Sequence, residues 1–222
     1  VPDAFMILSR IISSFHNDKW ELLIKGLNQT EQDVFELSDE FVKSSLSSTG
    51  VNLFEMDSYS KRLWLEPALS ILAIDAPPVA ESVNLLIPKA KAKVSLRLPP
   101  TEDPDHAMNM LEKHIKENTP FNANVEFIPE AKGKGILVDP KNEFSSKLIE
   151  SFNKHWENEV AYMGVGGSIP FANVFINEFP NSEIVLVGAG DEEGNAHAPN
   201  ESVNISDIQR LIDSLTDAIS NY

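Results

Sequence analysis

His197 stands in GDEEGNAHAPNES, residues 190–202, a run of Gly, Asp, Glu, Asn and Pro too poor in apolar residues to form core structure. Imidazole suits zinc, and Asp191, Glu192, Glu193 and Glu201 lie near enough in sequence to join or orient it. The run follows EIVLVGAG, residues 183–190, which reads as a buried strand. His197 is therefore expected at that strand's carboxyl end, where open α/β sheets collect their ligand sites. A single histidine does not complete a metal site, and most acidic loops are simply solvated. The chain has no cysteine, so any metal must be held by His, Asp or Glu.

Two further groups have the chemistry to hold an anion. In GVGGSIP, residues 164–170, Ser168 is placed as a helix N-cap and Pro170 fits the first turn. Gly166 and Gly167 would let the backbone approach a ligand, with exposed amides favouring a carboxylate or phosphate. The same pattern also serves a tight turn with no ligand, and it matches neither a dinucleotide-binding nor a P-loop fingerprint. Arg97 in AKAKVSLRLPP projects from a polar strand face, where a guanidinium can grip a carboxylate with two hydrogen bonds. Asn84, in SVNLLIP, precedes it. Surface arginines on strands are also common without a ligand. His16, His106, His114 and His155 have no ligand-like spacing and read as surface or satisfied structural residues.

The elements that must position these groups alternate between helix and strand. Residues 2–15 place Phe5, Leu8, Ile12 and Phe15 on one helical face, and residues 30–46 form a second helix opened by a cap at Thr30. Residues 17–29 and 51–67 read as irregular. ALSILAIDAPP and AKAKVSLRLPP are strands, each stopped by paired prolines, and the second alternates Ala92, Val94 and Leu96 with Lys91, Lys93, Ser95 and Arg97. A helix over 104–117 and a strand ANVEFIP complete a β-α-β pattern with the helices on one side. Beyond a boundary at Lys132–Gly135 come a helix over 144–157, a short strand VAYMGV, a helix over 170–177, the strand EIVLVGAG and a helix from Ser206. Two strands are too few for a doubly wound sheet, so the rest of that sheet is expected from sequence outside the chain, which begins at Val1 without methionine.

Composition narrows the partners. The 222 residues carry a net charge of −16, which argues against nonspecific nucleic-acid binding, since that depends on clustered Lys and Arg. No apolar run approaches the length that spans a bilayer, and no signal peptide is visible, so a soluble cytoplasmic protein is expected.

RLWLEPALSILAIDAPPVAESVNLLIPKAKAKVSLRLPPTEDP, GVGGSIPFANVF and the loop containing HAPNES occur in the order found in the M20 family of metallopeptidases, which the chain resembles. The resemblance is nearest to the dipeptidase, carnosinase-like branch, and residues 1–18 resemble the first lid helix of that branch. It implies α+β and α/β architecture: an α+β sandwich lid and dimerisation domain over residues 1–133, and an incomplete α/β part of a zinc-peptidase catalytic domain over 134–222. It also implies two zinc ions, or manganese, in the intact parent, and a homodimer formed through the lid.

On this resemblance His197 is a metal ligand, with Glu201 supporting the loop. Arg97, Gly167 and Ser168 hold the substrate's C-terminal carboxylate, and Asn84 reaches a partner's active site. The family's His-x-Asp pair, bridging aspartate and general-base glutamate have no counterpart here. The expectation is therefore a fragment of a metal-dependent dipeptidase, inactive alone. The alternatives are an acylase of N-acyl amino acids and a non-catalytic dimerisation or interaction module.

Overall fold

The computed structural model describes residues 2–46, 50, 56–137, 139–164, 170–179, 181–191 and 194–222. They form a mixed α/β protein with a small sheet and several helices, divided into two compact units. The first comprises Val1–Ile136 with Met163–Ser168, and the second Leu137–Tyr162 with Ile169–Tyr222.

The first unit opens with α1, Ala4–Ser13, capped by Asp3, whose carboxylate accepts from Met6 N–H at 2.9 Å. Its most buried residues, Ile11 and the following Phe15, lie four apart and have the half-buried Ile7 one turn before them. Phe15 is buried as expected, but the rest of the inward stripe is Ile7 and Ile11, one residue out of step with the expected Leu8 and Ile12. The shift follows from the partners: Ile24, Leu69, Leu111 and Ile115 close the same cluster.

The second expected helix is shorter than its sequence suggests. Its described part is α2, Asp39–Leu46, started by Ser38, whose hydroxyl accepts from Phe41 N–H at 3.2 Å. Thr30 caps nothing: its buried hydroxyl meets that of Thr101 at 2.8 Å. Leu37 is buried as well and donates its N–H to Ser60 Oγ at 2.8 Å. Held at both ends by tertiary bonds, residues 30–37 form no helix, and propensity yields to packing. Within the stretch expected to be irregular lies α3, Tyr59–Trp64, capped by Ser58, which accepts from Lys61 N–H.

Strands β1, Ala68–Asp75, and β2, Lys91–Arg97, pair antiparallel. Leu69 faces Leu96 and Ile71 faces Val94, all four packed against the helices, but the ladder then slips so that Ala73 faces Lys93 and Ile74 faces Ala92. Leu72 is the extra residue. A bulge inserts one residue and reverses the alternation beyond it, so Ile74 shares the face of Ile71 although it lies three positions on.

Helix α4, Pro104–Glu117, buries Ala107, Leu111, His114 and Ile115 over the same sheet face as α1, with Asp103 as N-cap and Pro104 in the first turn. ANVEFIP makes no ladder. Phe127 packs on the core and Glu130 pairs with Lys93 at 2.5 Å, so the segment is held by side chains. Phe121 and Asn122, in the left-handed region just before it, and Pro129, which has no N–H, interrupt regular pairing.

In the second unit α5, Glu143–His155, packs on α7, Ile205–Ser220, and α6, Pro170–Glu178, joins them in sequence between. Glu183 caps α5 from a distance, its carboxylate accepting from Phe144 N–H at 3.1 Å and from Ser145 N–H and Oγ at 3.0 Å. Small residues make the helix contact: Ser151 Oγ donates to Ser214 O at 2.7 Å, and Ser214 and Ala218 are fully enclosed.

Among the described residues this unit forms no sheet of its own. EIVLVGAG and the described residues of VAYMGV carry no ladder, and Leu186 and Val187 remain about half exposed. A strand is stable only against a neighbour, and the described residues of this unit hold no other strand to supply one.

Candidate substrate and metal-ligand positions

Arg97 ends β2 directly opposite Ala68, on the sheet face turned away from α1 and α4. Of the cations on that face, Lys93 is paired with Glu130 and Lys91 stands opposite Asp75. Arg97 is exposed and has no carboxylate partner among the described residues. A strand terminus fixes its backbone while its donors stay open, which suits bidentate recognition of an anion.

The turn that follows Arg97 carries a buried, multiply bonded carboxylate. Glu102 has a side chain with no exposed surface, and its carboxylate accepts from Asn28 N–H at 2.5 Å, Asp103 N–H at 3.0 Å and His106 Nδ1 at 2.8 Å. Burial pushes its pKa up. The hydrogen bonds from Asn28, His106 and Asp103 outweigh that and hold the carboxyl below its ordinary value. Sequence reading missed Glu102, because an acid just before a helix ordinarily reads as solvated.

Asn84 is exposed in residues 76–90, which connect β1 to β2. Ile87 O accepts from Ala4 N–H at 2.9 Å and ties this connection to the start of α1. Around Asn84, Val79, Val83, Leu85 and Leu86 are largely exposed. Arg97 lies at the open end of the hairpin and Asn84 in the connection that closes the other end. The seven residues of β2 put about 20 Å between those two ends.

His197 is exposed and sits at φ +65°, between Asn195 at +52° and Asn200 at +63°. Non-glycine residues in this region are uncommon, and the surrounding structure must hold them there. Here Ala198 N–H bonds Asn195 O at 2.9 Å, and Ser202 N–H bonds Gly194 O at 2.9 Å, closing the loop at its base. Gly194 is buried where a Cβ would come 3.1 Å from Ser202 O. Glu201 is exposed on the same loop.

Among the described residues no three His, Asp or Glu side chains group to hold a metal ion. His197 is available as one donor and the described residues do not complete a site. Gly167 and Ser168 lie outside the described residues, as do Glu192 and Glu193.

The other histidines are structural or surface groups. His114 is buried, with Nε2 donating to Ser14 O at 3.1 Å and its ring stacked on Phe15 at 5.5 Å between centroids. Burial lowers its pKa despite the opposing Ser14 bond. His16 stacks on Trp20, His106 serves Glu102, and His155 lies 3.5 Å from Asp217. No helix among the described residues is long and apolar enough to cross a membrane.

Comparison with known proteins identifies the family. A relative from Corynebacterium striatum, described as a cysteinylglycine-S-conjugate dipeptidase, is 27% identical over 220 residues, covering 95% of this chain and 47% of the relative. The fold matches the M20 family metallo-carboxypeptidase Sso-CP2 from Sulfolobus solfataricus, with a TM-score of 0.74 and 23% identity over 99% of this chain and 52% of that one. It equally matches the di-peptidase Dug1p from Saccharomyces cerevisiae, with a TM-score of 0.75 and 21% identity over 99% and 48% of the two chains. Human carnosine dipeptidase 1 gives a TM-score of 0.75 at 17% identity, over 99% and 50%. The chain thus spans about half the length of these relatives.

Residues 1–123, which hold the sheet, α1, α4 and both Asn84 and Arg97, match the peptidase dimerisation domain of M20 enzymes. With more than half of its length so matched, the chain belongs to the M20 peptidase family.

Proposed function

We propose that this chain is the substrate-orienting portion of a metal-dependent dipeptidase, gripping the C-terminal carboxylate of a small peptide and contributing one metal ligand. The observation that carries the reading is Arg97, the one cation of its sheet face with neither a paired nor an opposing carboxylate among the described residues. Gly167 and Ser168 are proposed to share the carboxylate, and His197 to be the ligand, its turn fixed by the Gly194–Ser202 bond. Residues 1–133 act as the lid and dimerisation domain and 134–222 as the C-terminal portion of the catalytic domain. The metal, zinc or manganese, needs donors beyond those described here, so the chain alone is expected to orient substrate without hydrolysing it.

A homodimer through the lid belongs to the same proposal. The dimerisation-domain match supports it, as do Val79, Val83, Leu85 and Leu86, an exposed apolar group flanking Asn84. Asn84 is assigned to the partner's site, because its connection leaves the sheet at the end opposite Arg97.

The test is turnover of unblocked dipeptides, their C-terminal amides and N-acyl amino acids, with zinc or manganese, by this chain and by a polypeptide of its relatives' length. The longer protein should prefer free dipeptides, and Arg97→Ala should erase most of that preference over the amides. Hydrolysis by the chain alone, or a preference that survives the substitution, would count against the proposal. A preference for N-acyl amino acids would favour an acylase.

A further inference from the structure

Ser95 stands two residues before Arg97 in β2, and Ser70 stands directly opposite Ser95 in β1. The residues that flank them, Leu69, Ile71, Val94 and Leu96, pack into the core. Side chains alternate between the two faces of a strand, so both serines lie on the outer face that carries Arg97. Facing residues have Cβ atoms about 4.5–5.5 Å apart, and diagonal neighbours lie about 7–8 Å apart, within reach of a long side chain. Because Arg97 faces Ala68, Ser70 is its diagonal neighbour. The guanidinium and the two hydroxyls therefore occupy adjoining places on one patch of the sheet.

Opposed hydroxyls on a sheet commonly bond to each other, yet among the described residues neither Ser70 nor Ser95 has a hydrogen-bond partner. Ser70 is exposed and Ser95 half-buried, so their donors are open to a ligand. The other neighbours of Arg97 offer an anion nothing. Ala68 has no side-chain donor, and Glu66, two residues earlier, pairs with Arg62 at 3.4 Å. Lys93, two residues before Ser95, is bound by Glu130 at 2.5 Å.

The two kinds of donor are complementary. A guanidinium meets a carboxylate through two parallel bonds, one to each oxygen. Each oxygen keeps a further lone-pair site, and a hydroxyl can donate to it without adding charge. Arg97 supplies the attraction to an anion. The serines, placed by the strand register, add donors whose positions do not depend on a long flexible stem.

We propose that Ser95 and Ser70 are further binding residues for the carboxylate that Arg97 grips. The proposal rests on that reading of Arg97 and deepens it: the site is a guanidinium with two hydroxyls, where before it was a lone cation.

The experiment uses the 222-residue chain and titrates alanyl-alanine and its C-terminal amide by NMR. Wild type is compared with Ser95→Ala, Ser70→Ala, Ser95→Thr and Arg97→Ala. Wild type should bind the free dipeptide more tightly than the amide, with the backbone amide signals of Ser70 and Ser95 moving as alanyl-alanine is added. Each serine-to-alanine change should weaken alanyl-alanine by about three- to tenfold, the size of one lost hydrogen bond. Binding of the amide and the urea midpoint should stay as in wild type, separating a lost donor from a disturbed fold. Ser95→Thr keeps the hydroxyl on a residue that suits a strand, and should bind as wild type does.

A preference for the free dipeptide that survives both serine-to-alanine changes but falls with Arg97→Ala would overturn the hydroxyl role and leave the Arg97 reading standing. Equal weakening of dipeptide and amide, or weakening that tracks a lowered urea midpoint, would make the serines structural residues and overturn it too. No preference in wild type, or one indifferent to Arg97→Ala, would overturn both readings.

Discussion

Glu102 and His106, one helical turn apart, meet at 2.8 Å between a carboxylate oxygen and Nδ1, and only the glutamate is enclosed. A buried carboxylate with three donors ties the loop at Asn28 to the start of α4, so the charge acts as a cross-link between distant parts of the first unit. Its removal leaves buried N–H groups without acceptors, the more costly side of a hydrogen bond.

Glu102→Ala is expected to destabilise the first unit by about 1–3 kcal/mol at neutral pH. The folded carboxyl titrates below its ordinary 4.5, so its stabilising contribution is complete above that value and is lost as pH falls through the lower folded one. Urea titrations of the wild type and Glu102→Gln, from pH 7 to pH 3, should show the largest gap at pH 7 and convergence in acid. A constant gap would mean that the charge is not what matters.

His114 carries a pH dependence in a higher window. Burial holds its folded pKa below 6.5, so the unfolded chain takes up this proton first and stability drains away as pH falls below 6.5. Replacement by Phe, which retains a ring against Phe15, should flatten thermal stability between pH 7 and pH 5. His16, also lowered by burial and by Arg62, contributes in the same direction and accounts for any residual slope.

The bulge in β1 separates two leucines that composition treats alike. Leu69 is buried in the core, and truncation to Ala should cost about 2–5 kcal/mol. Leu72 is the extra, exposed residue, and truncation should change stability by no more than about 0.5 kcal/mol. Equal effects in denaturant melts would show that Leu72 is buried and the register different.

Ser214 is a test of the contact between α5 and α7. Its hydroxyl donates to Arg210 O at 2.8 Å and accepts from Trp156 Nε1 at 3.3 Å in a space with no exposed surface. Ser214→Ala should cost about 0.5–1.5 kcal/mol through the lost bonds, and Ser214→Leu about 1–3 kcal/mol through overpacking. Calorimetry that resolves the second unit's transition should order them so.

These contrasts mark what a linear sequence conveys. The strands were legible because the paired prolines after Asp75 and Leu98 and the alternation in β2 are local signals, and α4 announced itself with Asp-Pro at its start. Arg97 was legible as a candidate because alternation alone puts it on the polar face. The non-helical stretch after Thr30 was not, since the forces holding it are Thr101 and Ser60, both far along the chain. Glu102 was missed for the same reason: the partner at Asn28 is 74 residues away. EIVLVGAG has the composition of a buried strand, but composition cannot supply the neighbour that a ladder needs. His197 was visible as a residue type in a polar loop, whereas its left-handed backbone is a property only of the folded turn.

The bond between Ser14 and His114 spans 100 residues, and the core built around it joins α1 to α4 across the whole of the intervening chain. During synthesis at about 5–20 residues per second, α1 therefore leaves the ribosome roughly 5–20 s before its main partner exists. Through that interval the apolar stripe of Ile7, Ile11 and Phe15 has only Leu22, Ile24 and Leu27 within early reach. The nascent chain thus carries that stripe incompletely covered, for a time set by how fast residues 16–103 are translated.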